Sequence, residues 1–143
     1  MVPPVRRTMI LFSLTAACTP VRLRVIAFND FHGNLRPPSG EQAGGAAHFA
    51  SHVAKLEREV EHSVVVSAGD MIGGSPLISA LLRDEPTIAV MNEVGVDIHA
   101  MGNHELDEGL AELRRVMKMA KFELLGANVL EKSEPIYPPY RIE

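Results

Sequence analysis

Short apolar runs alternate with amphipathic stretches from residue 21 onward. Residues 21–28 (VRLRVIAF) alternate apolar and basic positions and then turn continuously apolar, the pattern of a strand. Residues 29–45 form a loop marked by Gly33, Pro37, Pro38, Gly40, Gly44 and Gly45. Ala46, Phe49, Val53, Leu56 and Val60 share one stripe, which predicts a helix over 46–61. Residues 63–68 (SVVVSA) read as a short buried strand. Ser75-Pro76 is an N-cap followed by Pro at the first helical position, opening a short helix to about Leu82. A second helix is predicted from Pro86 to Gly95, a residue able to take a left-handed cap conformation. Residues 96–101 read as a third strand, and 108–120 as a helix with Leu110, Leu113, Val116 and Met117 inward. Residues 122–125 give a fourth strand. After Asn128 the chain is loop-like, and residues 140–143 suit the start of another strand. Strands separated by helices imply an α/β fold of mostly parallel strands with right-handed βαβ crossovers.

Residues 1–17 do not fit that alternation. Arg6 and Arg7 form a basic head, 9–17 is a short uncharged apolar stretch, and small residues follow at Ala16, Ala17 and Cys18. This is the layout of an export signal, and it is too short to span a bilayer. Thr15-Ala16-Ala17-Cys18 resembles a bacterial lipoprotein signal in which Cys18 would be lipidated; Leu14 stands one place earlier than such signals favour. The other reading is a plain secretory signal cut near Ala17. Residues 18–143 are then the folded part, and membrane contact is expected only through a lipid on Cys18.

Composition narrows the class. The chain has 143 residues, 46% hydrophobic and 22% charged, which excludes a disordered chain. Fourteen Lys+Arg against 18 Asp+Glu give a net charge of −4, so a dedicated nucleic-acid binder is not expected. A single Cys excludes an internal disulfide framework and a Cys-rich zinc module.

The chemistry gathers at three strand ends, which read Asn29-Asp30-Phe31-His32-Gly33-Asn34, Gly69-Asp70-Met71-Ile72-Gly73-Gly74 and Gly102-Asn103-His104-Glu105. Parallel strands bring these loops to one edge, where open α/β sheets carry their functional groups. Asp30, His32, Asp70, Asn103 and His104 would share a small volume. Carboxylate, imidazole and amide oxygen together suit Mn, Fe or Zn, with Mg less favoured by the imidazole. His104, where it is not a ligand, can stabilise or protonate a charged oxygen.

The ordered set D-x-H, G-D-x-x-G and G-N-H-[DE] resembles the calcineurin-like metallophosphoesterases. Five segments are similar to their 5′-nucleotidase branch: NDFHGNL at 29–35, GGAA at 44–47, GDMIGGSPL at 69–77, GNHELD at 102–107 and ANV at 127–129. The resemblance implies the N-terminal half of a four-layer α/β/β/α sandwich and a site for two divalent metal ions. It implies that Asp30, His32 and Asp70 hold the first ion, and Asp70 and Asn103 the second. Asn103 and His104 would contact substrate, and Asp107 would orient the His104 imidazole as a catalytic dyad. In-line attack by a metal-bridging hydroxide would release phosphate from a nucleotide outside the cytoplasm, in the periplasm or cell envelope.

The family completes its metal site with histidines from a second half, one in a G-H-x-H motif. No histidine follows His104 here, so the expectation is an incomplete catalytic domain whose isolated chain has little or no activity. Within the resemblance, a 2′,3′-cyclic nucleotide phosphodiesterase/3′-nucleotidase and a thiosulfohydrolase are the rival activities. A non-catalytic envelope lipoprotein remnant is the rival of another class. His48 and His52, four apart, read as a helix face; His62 and His99 read as non-ligands beside strands; Glu105 is left out of the ligand set. Met91, Met101, Met117 and Met119 are expected to fill the core.

Overall fold

The structure is a computed structural model and describes residues 20–37, 39–40 and 43–142; the expected export signal and Cys18 lie outside the described residues. Four strands, β1 (Leu23–Phe28), β2 (His62–Ser67), β3 (Ile98–Ala100) and β4 (Glu123–Leu125), form one parallel sheet in the order β1-β2-β3-β4. The crossovers are α1 (Gly45–Arg58), then α2 (Leu77–Ala80) with α3 (Glu85–Val94), then α4 (Leu110–Met117). A parallel sheet in sequential order with right-handed crossovers sets its helices on one face. α1 packs on α3, and α3 on α4.

The burial pattern follows from that one-sided layout. Ile26, Val65, His99 and Leu124, one from each strand, are buried, while Leu23 and Val25 on β1 are each 59% exposed. Alternate strand residues point to opposite faces, so one set enters the core and the other does not. The core between sheet and helices joins Val53 of α1, Ile88, Met91 and Val94 of α3, and Leu113 and Val116 of α4 to the strand residues. Met101 and Met117 pack against it; Met119 does not, being 40% exposed at the end of α4.

The helix signals hold with shifted ends. Gly95 caps α3 at φ 83, the left-handed conformation that glycine adopts without steric cost. In α2 the cap moves one residue, with Pro76 rather than Ser75 flanking the first turn. Among the described residues 140–142 form no strand. Instead a two-stranded antiparallel hairpin, β5 (Leu130–Glu131) and β6 (Glu134–Pro135), turns at Lys132 and Ser133, both at positive φ. Two consecutive positive φ values define the tight hairpin turn usually written with Asn-Gly, so Lys-Ser carried no sequence signal for it. No helix among the described residues is long and apolar enough to cross a membrane.

Candidate metal centre

The loops after β1 and β2 stay paired beyond the last residues of their strands. Ala68 N donates to Phe28 O, Asp30 N to Gly69 O, His32 N to Asp70 O and Gly33 N to Met71 O, at 2.8–3.1 Å. This ladder carries Asp30, His32 and Asp70 past the sheet edge in fixed register. All three adopt left-handed backbone conformations, at φ 53, 44 and 53. Such conformations cost about 1–3 kcal/mol each in a residue with a side chain, so the surrounding bonds must hold them. Glycines make room. A Cβ on Gly102 would run into the Asp70 carboxylate, and one on Gly73 into the His104 carbonyl.

The result is a cluster. His32, Asp70 and His104 can each offer a ligand atom within 4.8 Å of the others. Their two imidazole rings stand edge to face, centroids 4.8 Å apart. Asp30 joins from the side, its Oδ1 3.6 Å from His32 Nε2, and its other oxygen accepts from Asn29 Nδ2. His32 Nδ1 lies 2.9 Å from the Gly73 carbonyl. As the donor there it leaves Nε2 with a free lone pair, the form in which imidazole binds a metal. Asn103 is exposed at the head of a one-turn 3₁₀ segment (His104–Leu106), and Leu106 N donates to its main-chain carbonyl. The carboxylates and imidazoles of this cluster are a donor set that fits a divalent transition metal.

His104 is held on both sides. Its N–H donates to Asp70 Oδ1 at 3.0 Å, and its Nδ1 lies 2.7 Å from Asp107 Oδ2. The Asp107 hydrogen bond, helped by the charges of Asp107, Asp70 and Glu105, raises the His104 pKa above its ordinary value against the opposing effect of burial. Asp107 also accepts the Gly74 N–H.

The glycine-rich loop after β2 presents five successive amides to carboxylates. Asp70 N and Met71 N donate to Glu105 at 3.1 and 2.8 Å, with Ile72 N a longer 3.4 Å away. Gly73 N donates to Asp84, and Gly74 N to Asp107. Asp84 is fixed in turn by the buried Ser79 hydroxyl at 2.7 Å.

Sequence reasoning set Glu105 and His99 aside as non-ligands, and the structure gives them a shared buried contact that the sequence did not show. The Glu105 carboxylate also accepts Gly102 N at 2.6 Å and lies 3.2 Å from His99 Nε2, with both side chains fully buried. Burial pushes the Glu105 carboxyl up, but hydrogen bonding and charge from His99, with the Gly102 and Asp70 amides, outweigh it and bring the pKa down to about 2. The available signal was weak: a charged residue is rarely buried unless paired, and only folding shows which residues are buried. His48 and His52 are exposed on α1, and His62 lies 3.9 Å from Glu61 at the surface.

A family model described as calcineurin-like phosphoesterase matches residues 23–137. An uncharacterized protein from the pqq-V 5′ region of Acinetobacter calcoaceticus is 39% identical over 85% of this chain and 78% of its own. A 2′,3′-cyclic-nucleotide 2′-phosphodiesterase/3′-nucleotidase of Salmonella typhimurium is 31% identical over 95% of this chain and 23% of its own. Among solved structures, a 5′-nucleotidase precursor from Thermus thermophilus superposes with a TM-score of 0.68 at 28% identity. The match covers 82% of this chain and 25% of that one, so the chain spans about a quarter of each of these two larger proteins.

Proposed function

The chain belongs to the calcineurin-like phosphoesterase family, and on that premise we propose that its three sheet-edge loops form part of a two-metal site for nucleotide phosphoester hydrolysis. The observation that carries the reading is the convergence of His32, Asp70 and His104 from three separate loops, with Asp30 beside them. Asp30, His32 and Asp70 would hold one divalent ion, and Asp70 with the Asn103 amide oxygen a second. When bound, the pair supplies Lewis-acid polarisation of a phosphoryl group and a reactive water at neutral pH.

The chain's own residues do the rest. Asp107 keeps the proton on His104 Nδ1 in the neutral ring and stabilises the charged ring. With Nδ1 tied to Asp107, His104 has Nε2 left to face the phosphoryl group and to donate a proton to the leaving oxygen. In the metal-free chain the Asp107 hydrogen bond raises the His104 pKa, which favours the protonated ring. Asn103, exposed beside it, would donate to or accept from substrate in this reading. The substrate class in this reading is a 5′-nucleotide outside the cytoplasm, with residues 1–17 as export signal and Cys18 as a lipid attachment point. A 2′,3′-cyclic nucleotide is the second reading, supported by the Salmonella relative that aligns over 95% of this chain.

Titration of the purified chain with Mn²⁺, followed by electron paramagnetic resonance, tests the metal site. The expected result is specific binding by the wild type and at least tenfold weaker binding by Asp70→Asn, with an unchanged circular dichroism spectrum. Equal binding by the two proteins, or none by the wild type with Mn²⁺, Zn²⁺ and Fe²⁺, overturns the site. Phosphorus NMR of AMP and of 2′,3′-cyclic AMP with the metal-loaded chain, read as line broadening on binding, separates the two substrate readings without requiring turnover.

A further inference from the structure

We propose that Glu105 is a positioning residue of this centre: without binding an ion, its buried carboxylate sets where Asp70 and Asn103 stand. The inference rests on the metal reading above and extends it to a residue outside the ligand set.

The geometry is a reciprocal clasp between two loops. Glu105 reaches from the loop after β3 to the loop after β2 and accepts the amides of Asp70 and Met71. Asp70 reaches back and accepts the His104 amide on Oδ1 at 3.0 Å. Glu105 also closes on its own loop through Gly102 N at 2.6 Å, immediately before Asn103. Each loop thereby fixes the residue of the other that bears donor atoms.

The carboxylate is unsuited to be a ligand itself. It is fully buried, and its lone pairs are engaged by the amides of Asp70, Met71 and Gly102 and by His99 Nε2. An amide or apolar side chain there would leave buried N–H donors without acceptors, a costly arrangement in a nearly dry interior. Asp70 adds a further reason. Its backbone at φ 53 is not self-sustaining, and the bonds that hold it are its N–H to Glu105 and its carbonyl from His32 N. Releasing the first frees the Asp70 carboxylate from the position where His32 and His104 converge on it.

The test compares Mn²⁺ affinity of the full chain in the wild type, Glu105→Gln, Glu105→Asp and Val53→Ala, a core truncation in α1 remote from the loops. The expected result is a tenfold or greater loss in Glu105→Gln, partial recovery in Glu105→Asp, and less than a threefold change in Val53→Ala. Should Glu105→Gln fail to fold, Glu105→Asp against Val53→Ala makes the same comparison. Affinity within threefold of wild type in the folded Glu105 variants overturns the proposal, and so does an equal loss in Val53→Ala. Absence of Mn²⁺ binding by the wild type would instead sink the metal reading. The amide resonances of Asp70, Met71 and Gly102 then decide: large shifts in Glu105→Asp support the clasp, and unmoved resonances overturn it.

Discussion

Glu105 Oε1 lies 3.2 Å from His99 Nε2, with neither side chain exposed to solvent. A buried carboxylate against a buried imidazole, beneath loops that carry candidate ligands, makes the interior of this domain sensitive to acid.

The Glu105 pKa of about 2 lies below its unfolded value near 4.5. A depressed folded pKa means that the unfolded chain binds the proton more readily. The stabilisation is therefore complete above about pH 4.5 and is lost as pH falls from there toward 2, a total on the order of 3 kcal/mol. Urea midpoints measured between pH 7 and pH 3 should fall in the wild type and fall less steeply in Glu105→Gln, where the lowered carboxyls of Glu59 and Glu112 still titrate.

Asp107→Asn removes the main cause of the raised His104 pKa. The His104 titration, followed by its ring proton resonances in the metal-free chain, should move down toward about 6.5. In a metal-loaded, active form, the variant should lose roughly 10–100-fold in turnover with little change in fold.

Gly102→Ala places a methyl group against the Asp70 carboxylate and backbone nitrogen. Because backbone is among the atoms struck, relief requires a loop shift, at a cost of about 1–3 kcal/mol. Thermal melts should show that loss. Mn²⁺ titration should show weaker binding than in Gly95→Ala, where nothing stands within 4 Å of the added carbon and the strain comes only from φ 83.

Leu113→Ala truncates a side chain only 1% exposed, between α4 and the sheet. A cavity of that kind costs about 2–5 kcal/mol, read as a lower urea midpoint at pH 7. The neighbouring Ala111→Ser, on the exposed face of α4, should stay within about 0.5 kcal/mol of wild type.

The fold was legible where periodicity was strong. The stripe Ala46, Phe49, Val53, Leu56 marks α1, and the run Val64-Val65-Val66 marks β2, because burial imposes a repeat that the sequence displays. The hairpin at Lys132-Ser133 was not legible, since its positive φ values sit on residues with no preference for them. Three strand-end motifs were enough to anticipate the cluster of His32, Asp70 and His104, with Asp30 beside it. Parallel strands in sequential order leave all their carboxyl ends on the same side.

The sequence by itself determined the alternation of strand and helix, the parallel direction of the strands and the edge on which the three motifs collect. All of these follow from side-chain periodicity and chain chirality, which act locally. Only the tertiary structure decided how those donors are held: left-handed backbone at Asp30, His32 and Asp70, and five amides of one loop turned toward Glu105, Asp84 and Asp107. It also decided that Glu105, beside the candidate His104, faces inward to His99. Those outcomes depend on which groups lose water together, and residues 34 and 35 positions apart in the chain become neighbours only once the sheet has formed.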